Sequence, residues 1–374
     1  MSREPDVRPG STVGLKDIAR RLGVSVGTID RALHGKPDIK PNTRARVLAA
    51  AKTLGYRPNL AASYLRSGRQ ARVSIHLPEH DSFFWETLRD GIREAAAPFA
   101  PSLGLEFRTY AGDWDPHLSL QPRALDRNTA GLIIGPGESA AVTLPLEDAK
   151  TRTIPVACVV DGVADDPRIV SVYVDPFSVG ALAGELIGRF VPGGGEVAIV
   201  TRAAATRAHT EQMRGFVSSL SNFSARLRLA AVVESHVDER ETHRRILEML
   251  RAHPGVKGLY VSAGDSLPVL EAARREGRLA ALAVVTTDLS PELFDWIRGG
   301  TVAATIYQRP LTQGHAAFQL LYQYLQTRTR PTPRRQVIAP YAVMSSNLHI
   351  VLQRLDIARD ASHSPEHGAA VAGL

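Results

Sequence analysis

The chain of 374 residues contains one cysteine, Cys158, inside the apolar run IPVACVV. A single cysteine excludes a disulfide framework and is typical of a reducing compartment. No apolar run approaches the ~20 residues that a membrane-spanning helix needs. The polar N-terminus, MSREPDVRPGSTVG, lacks the apolar stretch of a signal peptide. We therefore expect a cytoplasmic protein with no membrane association.

The motifs of enzymes and cofactor sites are also missing. The twelve histidines are scattered without metal-ligand spacing. The glycine-rich stretches GPGES and VPGGG lack the lysine of a phosphate-binding loop. We find no nucleophile elbow, no paired-carboxylate motif and no dinucleotide fingerprint. The sequence predicts no metal, no cofactor and no catalytic activity.

Positive charge is concentrated at the N-terminus. Residues 1–72 hold 15 Lys and Arg against 5 Asp and Glu, whereas the remaining residues hold 30 against 33. The net charge of +7 therefore combines a head of +10 with a body of −3. This distribution is typical of a nucleic-acid-binding module attached to another domain.

Residues 15–33 have the pattern of a helix-turn-helix. The first helix has an apolar face at helical spacing, formed by Leu15, Ile18, Ala19 and Leu22. Gly23 allows a tight turn, and Ser25 can cap the second helix. The inner face of that helix is predicted to be Ile29, Ala32 and Leu33. The outer face then presents Val26, Gly27 and Arg31, as a recognition helix does in a major groove.

These three outer residues suit base readout. Arg31 can donate two hydrogen bonds to guanine, and Val26 offers apolar contact to a thymine methyl. Gly27 permits close approach to the DNA. Further along, Asn42 or Thr43 is expected to cap a third helix that runs to about Leu54. Its predicted inner face is Ala45, Leu48, Ala49 and Leu54.

From Arg72 onward, apolar strand-like runs alternate with helical patterns. Ten strands are predicted, at 72–78, 105–111, 130–136, 154–160, 169–175, 196–201, 229–235, 256–262, 282–288 and 301–307. Such alternation indicates parallel sheets covered by helices. Ten strands exceed one compact sheet, so two α/β lobes are expected, with the loop VPGGG (191–195) before the strand that opens the second. Ligands bind beyond the carboxyl ends of the strands in such folds.

The stretch LKDIARRLGVSVGTIDRALHGKPDIKPNTRARVLAAAKTLGYRPNLAASYLRSGR resembles the head and hinge of the lactose-repressor family of bacterial transcription regulators. Residues 72–352 resemble the ribose-binding-protein type of sensor that this family carries. The implied domains are a disordered tail (1–14), a helix-turn-helix head (15–58), a hinge helix and linker (59–71), a two-lobed α/β sensor like periplasmic binding proteins (72–352) and a flexible tail (353–374). The head is all-α.

The resemblance implies DNA contacts at eight positions. It assigns phosphate contacts to Ser25, Thr28 and Asn42, base contacts to Val26, Gly27 and Arg31, an approach to DNA to His34, and a minor-groove wedge to Leu65. Packing of Leu65 against the sensor is the alternative. Asp30 departs from the serine usual in the family, so either it accepts a hydrogen bond from a base or from Arg31, or it points away.

The resemblance also implies an effector site for a small sugar or sugar derivative. In HDSFFW (80–85), Asp81, Phe83 and Phe84 match the loop that meets the sugar ring. The other implied contacts are Glu138, Asp265, Asp288 and Gln308. Thr210 occupies the position of the family's arginine, and His209 and Arg207 are the candidates to replace that arginine. Core burial is the alternative for the two phenylalanines, and simple solvation is the alternative for Glu138 and Asp265.

The resemblance implies a repressor that binds a near-palindromic operator in double-stranded DNA as a homodimer and responds to an effector held between its lobes. A solute-binding protein for sugar uptake is the alternative, against which the basic head and the lack of an export signal argue. An enzyme acting on a sugar or nucleotide and a sequence-independent DNA-binding protein are further alternatives. The sequence leaves open the effector's identity and the choice between dimer and tetramer.

Overall fold

The chain folds into two compact units. One consists of Met1–Arg69 with Leu325–Thr329, and the other of Gln70–Tyr324 with Arg330–Leu374. The computed structural model describes residues 14–33, 38–54, 71–78, 82–110, 124–135, 140–160, 169–201, 207–223, 226–235, 238–262, 266–327 and 329–363. Five of the predicted contact residues lie outside these ranges: His34, Leu65, Asp81, Glu138 and Asp265.

Within residues 14–33 and 38–54, the N-terminal unit forms three short helices: α1 (Leu15–Leu22), α2 (Val26–Leu33) and α3 (Pro41–Thr53). Gly23 ends α1 with φ of 67°, a left-handed conformation that glycine adopts without steric cost. The helices enclose a small apolar core of Ile18, Ala19, Ile29, Ala32, Val47, Ala50 and Ala51. The predicted turn and the predicted inner faces of α1 and α2 are confirmed.

The start of α3 differs from the prediction. Its N-cap is Lys40, which makes no side-chain capping bond, and Pro41 is the first helical residue. Neither Asn42 nor Thr43 is the cap. Proline is favoured at this position because its fixed φ suits the helix and its missing N–H would have no partner there anyway.

The inner face of α3 was also predicted incorrectly. Leu48 is 47% exposed, whereas the buried residues of the helix are Val47, Ala50 and Ala51. Ala45 and Ala49 are exposed. The apolar residues of this helix are mostly small alanines distributed around it, so the sequence pattern did not distinguish one face from another. Packing against α1 and α2 selected the face.

The larger unit contains two six-stranded sheets. The first has the order β11–β5–β4–β3–β1–β2 and the second β12–β10–β9–β8–β6–β7. The strands of the first sheet are β1 (Ala71–Pro78), β2 (Leu103–Tyr110), β3 (Thr129–Ile134), β4 (Val156–Val159), β5 (Ile169–Tyr173) and β11 (Arg335–Val337). Those of the second are β6 (Gly195–Thr201), β7 (Leu227–Glu234), β8 (Val256–Val261), β9 (Ala283–Thr287), β10 (Ala304–Tyr307) and β12 (Tyr341–Val343).

All ten predicted strands are present, and their pairing is parallel. The two strands that the sequence pattern missed, β11 and β12, have three residues each. A segment this short shows too few alternations to be recognised. β11 joins β5 in parallel, whereas β12 joins β10 in antiparallel pairing.

Helices connect the strands of both sheets. They are α4 (Phe83–Ala96), α5 (Ala140–Thr151), α6 (Pro176–Phe190), α7 (Arg207–Phe223), α8 (Glu239–Ala252), α9 (Leu267–Arg275), α10 (Phe294–Arg298), α11 (Pro310–Thr327) and α12 (Leu348–His363). Within the described part of the chain, none of the helices combines the length and apolar character that a bilayer crossing demands. The predicted flexible tail (353–374) was wrong at its start, because α12 continues to His363 and Leu355 is buried.

The chain passes between the two lobes three times. It leaves the first sheet after β5 through residues 174–175, and α6 packs in the second lobe, against α7. It returns through Gln308 and Arg309 to α11, which packs against α4 in the first lobe. The third crossing, residues 338–340, joins β11 to β12. The second lobe thus begins at α6, ahead of the VPGGG loop.

Glycines bring one helix pair in each lobe into backbone contact. A Cβ added at Gly180 of α6 would lie 1.7 Å from the carbonyl oxygen of Gln212 on α7. One added at Gly215 would lie 2.0 Å from the carbonyl oxygen of Phe177. In the first lobe, Gly314 of α11 faces the Leu88 carbonyl of α4 in the same way. Only glycine permits this separation, so each lobe has a helix pair that cannot widen without losing its packing.

We expect Gly180→Ala and Gly215→Ala to destabilise the sensor by about 1–3 kcal/mol or more, because the new methyl group overlaps a backbone carbonyl. Gly193→Ala is the matched control, since nothing lies within 4 Å of its added Cβ. Urea unfolding followed by circular dichroism measures the difference. Equal stability of the Gly180 and Gly193 variants would contradict the close packing.

Candidate functional site

The first turn of α2 is fixed by a side-chain cap. The Thr28 N–H donates to Ser25 Oγ over 3.1 Å, and the two hydroxyl oxygens lie 2.9 Å apart. The predicted cap is therefore confirmed. Two of the three predicted phosphate contacts, Ser25 and Thr28, therefore lie together at the N-terminus of a helix, where the partial positive charge of the helix favours an anion.

Arg31 extends along the outer face of α2 and has an acidic partner. Its Nε donates to the carbonyl of Gly27 over 3.2 Å, and its Nη1 lies 3.2 Å from Asp38 Oδ2. About half of each charged side chain is exposed, at 51% and 53%. An ion pair this exposed contributes roughly 0–1 kcal/mol. Arg31 can therefore exchange Asp38 for another acceptor at little cost.

The remaining predicted residues of the head differ in exposure. Gly27 is exposed, as predicted, but Val26 is half-buried and packs against the core of the head. The prediction that Val26 lies fully on the outer face was thus only partly right. Asn42 is exposed in the first turn of α3. Asp30 is half-buried and has an interaction partner in the fold.

In the sensor, the structure brings Asp288 and Gln308 into direct contact. Asp288 follows β9 and Gln308 follows β10, so both lie at carboxyl ends of parallel strands. The Gln308 backbone N–H donates to Asp288 Oδ1 over 3.1 Å, and its Nε2 donates to Oδ2 over 2.6 Å. One residue of the second crossing thus satisfies both oxygens of the carboxylate.

Burial gives this carboxylate an unusual acidity. Asp288 is 8% exposed. Burial raises the pKa of Asp288 to about 7, although both hydrogen bonds from Gln308 act to lower it. Its backbone has φ of 64°, a left-handed conformation that aspartate adopts more readily than most non-glycine residues. A buried carboxylate poised between two protonation states is typical of a functional site.

A hydrogen-bonded aromatic residue supports the strand beside Asp288. Tyr260 is fully buried, stacks on Phe216 with ring centroids 5.1 Å apart, and its hydroxyl lies 2.9 Å from Thr287 Oγ1. The strand register places Ser262 and Thr201 beside Thr287 on the same face of the sheet. A row of hydroxyl groups therefore crosses the ends of β9, β8 and β6, beginning at Thr287, which precedes Asp288 in the chain.

Gln212 is the polar residue that sequence reasoning missed. It is 5% exposed on α7, one turn before Phe216, and its amide oxygen has no hydrogen-bond partner among the described residues. The predicted Thr210 is exposed and His209 is half-buried, and each has an interaction partner. The available signal was a polar side chain at helical spacing from Phe216 on the inner face. Such a buried acceptor needs a donor, which a water or a ligand hydroxyl can supply.

Phe83 and Phe84 begin α4 in the first lobe and are half-buried. Phe83 packs edge to face against Phe294 of α10, with ring centroids 6.0 Å apart, and contacts the core of the second lobe. Phe84 packs against Trp85 at 5.0 Å. Neither ring is therefore fully buried in a core, which was the alternative to ligand contact. The Phe83–Phe294 contact joins the two lobes beside the predicted first loop.

A buried arginine at the same end of the first lobe was not predicted. Arg89 of α4 is 5% exposed and donates to Glu86 over 2.6 Å and to the carbonyl of Pro78, where β1 ends. The Arg89 guanidinium group thus donates to acceptors of the protein itself. Among the described residues, no group of three or more His, Cys, Asp or Glu side chains has a metal-binding arrangement.

Two family models match the chain. Residues 14–59 match the model described as bacterial regulatory proteins, lacI family, and residues 73–329 match the periplasmic binding protein domain. Catabolite control protein A from Priestia megaterium is 24% identical over 324 residues, or 85% of this chain and 94% of that protein. The HTH-type transcriptional regulator AglR from Rhizobium meliloti is 42% identical over 89 residues, or 22% of this chain and 25% of that protein.

Among solved structures, the glucose-galactose binding protein GanP from Geobacillus stearothermophilus matches with a TM-score of 0.63 and 21% identity. The match covers 75% of this chain and 99% of that chain. This likeness concerns the fold, and it agrees with the two lobes described above. The chain therefore belongs to the family of periplasmic-binding-protein domains and combines that sensor with a DNA-binding head of the lacI family of bacterial regulatory proteins.

Proposed function

We propose that the protein is a cytoplasmic transcriptional repressor that binds a near-palindromic operator as a homodimer and responds to a small sugar or sugar derivative. The observation that carries the proposal is the pairing of Asp288 with Gln308. It places a candidate effector-binding carboxylate in contact with a chain crossing between the lobes, and a DNA-binding head is joined to the same chain.

On the DNA side, α2 supports major-groove binding. The capped first turn presents the hydroxyls of Ser25 and Thr28 for phosphate oxygens. Gly27 leaves room for the groove wall, and Arg31 exchanges Asp38 for guanine. Asn42, His34 and the minor-groove wedge Leu65 complete the proposed contacts. Two heads related by a two-fold axis favour a two-fold operator.

On the effector side, Asp288 and Gln308 supply the central acceptors and donors. A ligand hydroxyl that donates to Asp288 competes with the amide of Gln308 for the same oxygen. The free amide oxygen of Gln212 provides a further acceptor, and Phe83 and Phe84 provide apolar faces. We include His209, Thr210, Asp81, Glu138 and Asp265 as outer contacts. Without a guanidinium group at position 210 or 212, this side of the site favours a neutral, hydroxyl-rich ligand.

Signalling then follows from differential binding. The effector binds one arrangement of the lobes more tightly than the other and so shifts their population. The effector changes the affinity for operator by a certain factor, and bound operator changes the affinity for effector by the same factor. We propose no catalytic step, because the proposed contacts supply hydrogen bonds and apolar faces and require no bond to be made or broken.

The function is tested by selecting bound sequences from random DNA with the purified full-length chain. We expect a palindrome with a flexible central pyrimidine–purine step, as paired heads with inserted leucines require. The operator found in this way is then titrated with and without D-glucose, D-galactose, D-allose and L-arabinose. Equal binding of selected and random DNA would contradict the proposed operator recognition. A panel of sugars that leaves operator affinity unchanged would contradict the proposed effector response.

Two head variants test base readout. Arg31→Ala should weaken operator binding by about 1–3 kcal/mol and relax selectivity at one base pair. Asp38→Asn should strengthen binding slightly, because the competing acceptor of Arg31 loses its negative charge. Arg228→Ala is the control for loss of a positive charge, since this exposed arginine lies on the sensor strand β7. Fluorescence anisotropy on operator and single-base variants measures all three.

The acidity of Asp288 predicts a pH dependence of effector binding. Because burial raises the pKa of Asp288 to about 7, this carboxyl group is protonated in a large fraction of the free protein at slightly acid pH. The ionised carboxylate accepts a hydrogen bond from a ligand hydroxyl more strongly than the neutral acid does, and it leaves both oxygens available as acceptors. Affinity for the active sugar should therefore rise by up to about tenfold between about pH 6 and about pH 8. Calorimetric titration of the active sugar of the panel measures this rise.

Asp288→Asn should bind the sugar weakly at every pH, with a flat profile. Asp295→Asn is the control, because this carboxylate is 92% exposed and lies on α10. A wild-type affinity that does not change with pH would show that the carboxylate does not accept from the ligand.

A further inference from the structure

The second and third crossings between the lobes are joined by one side chain. Arg309 immediately follows Gln308 in the second crossing. Its guanidinium carbon lies 5.0 Å from the ring centroid of Tyr341, which begins β12 directly after the third crossing. Its Nη1 donates to the carbonyl of Ala339, within the third crossing, over 3.5 Å.

We propose that Arg309 is a positioning residue whose contacts with Tyr341 and Ala339 form a clasp between two of the three crossings. The clasp makes the two segments move together and so sets how far the lobes open. The effect of the clasp on signalling rests on the proposed effector role of Asp288 and Gln308. The clasp itself is defined by contacts in the free protein.

The conformation of Arg309 is costly, which argues for a specific role. Its φ is 57°, a left-handed conformation in which the Cβ of a non-glycine residue crowds the following carbonyl oxygen. Its Nε is buried and has no hydrogen-bond partner among the described residues. Strain of this kind persists where surrounding contacts hold it, and it is concentrated at switch regions. The contacts available to hold it here are the ring of Tyr341 and the Ala339 carbonyl.

The clasp is directly connected to the effector carboxylate. Gln308 donates twice to Asp288 in the second lobe. In the other direction, Gln313 of α11 donates its Nε2 to the Gln308 carbonyl over 2.8 Å and its N–H to the Arg309 carbonyl over 3.0 Å. The second crossing is therefore fixed at both ends. A ligand that displaces the Gln308 amide releases one end, and Arg309 passes that change to the third crossing.

The aromatic partner is itself supported. Tyr341 packs against Tyr307 at 6.0 Å between ring centroids, and β12 pairs with β10 at these two residues. Tyr307 is 4% exposed, so this side of the clasp belongs to the rigid second lobe. The guanidinium group therefore interacts with a fixed ring face, a contact that depends on the aromatic face and not on the tyrosine hydroxyl.

The test measures the distance between the lobes in the free full-length protein. Spin labels are attached at cysteines that replace Glu147 in α5 and Arg228 in β7, which are 66% and 74% exposed. Cys158 is buried and stays unlabelled. Arg309→Met and Tyr341→Leu should each broaden the distribution of label-to-label distances, which is measured by double electron–electron resonance. Tyr341→Phe should match the wild type, because it keeps the ring face.

Arg189→Met is the matched control. The guanidinium carbon of Arg189 also lies over an aromatic ring, 5.1 Å from the ring centroid of Phe223. Arg189 is on α6 and Phe223 is on α7, so this contact lies within one lobe. This variant should leave the distance distribution unchanged. The double variant Arg309→Met/Tyr341→Leu should be no broader than Arg309→Met alone, because that change already removes the contact with Tyr341. Thermal unfolding identifies any variant that changes the fold itself.

A second readout uses the active sugar of the panel. Arg309→Met and Tyr341→Leu should reduce the factor by which that sugar changes operator affinity, by roughly threefold to thirtyfold. Unchanged lobe distances in both variants, or a Tyr341→Phe variant as broad as Tyr341→Leu, would overturn the clasp. A panel without an active sugar would contradict the proposed effector instead, since the distance measurement needs no ligand.

Discussion

A buried carboxylate needs hydrogen-bond donors, and the way in which Asp288 obtains them connects the parts of the sensor. Both donors come from Gln308, through its backbone and its side chain. Gln308 stands where the chain leaves the second lobe for the first. The group best placed to accept a ligand hydroxyl is therefore held by the segment that controls the lobes. In the proposed mechanism, a ligand changes the crossing because it competes for the same oxygens.

The remainder of each lobe is built to resist such a change. Mostly parallel sheets with buried central strands form the cores, and in each lobe a pair of helices is held in backbone contact by glycines. A close-packed interior transmits displacement and does not absorb it. Of the four described non-glycine residues with positive φ, Arg309 lies in the second crossing and Asp288 contacts it, whereas Thr153 and Val160 lie on either side of β4 in the first lobe. Rigid lobes joined by a strained segment are suited to switch between two arrangements.

The head has a different energetic character. Its core consists of seven small or medium apolar side chains from three short helices. Its surface ion pair between Arg31 and Asp38 is half-exposed and so is readily broken. A basic surface with exchangeable partners fits phosphate binding, in which electrostatic attraction supplies much of the affinity. The proposed specificity depends on a few side chains held in place by the Ser25 cap.

Much of the fold could be predicted because strong local patterns coincide with elements. The apolar face of Leu15, Ile18, Ala19 and Leu22 specified α1, and ten apolar runs specified ten strands. Where local signals were weak, prediction failed. α3 carries alanines around its circumference, so its inner face was wrong. β11 and β12 are three residues long, so they were missed.

For the candidate site, the strand ends at Asp288 and Gln308 could be located from the sequence, because parallel strands place ligand groups at their carboxyl ends. That the two residues bind each other could not be inferred, since they are separated by twenty positions and paired only through the β9–β10 register. Gln212 was missed because its one local signal, helical spacing from Phe216, does not show that a polar side chain on that face is buried.

By itself the sequence determined the kind of molecule: a basic helical head, two α/β lobes and the strand ends that carry polar groups. These follow from charge distribution and from hydrophobic periodicity, which are local properties of the chain. Only the tertiary structure decided which polar groups meet, which are buried and which segments are strained. Burial and long-range pairing set the pKa of Asp288 and the contact between Arg309 and Tyr341, and both depend on neighbours that are distant in the sequence.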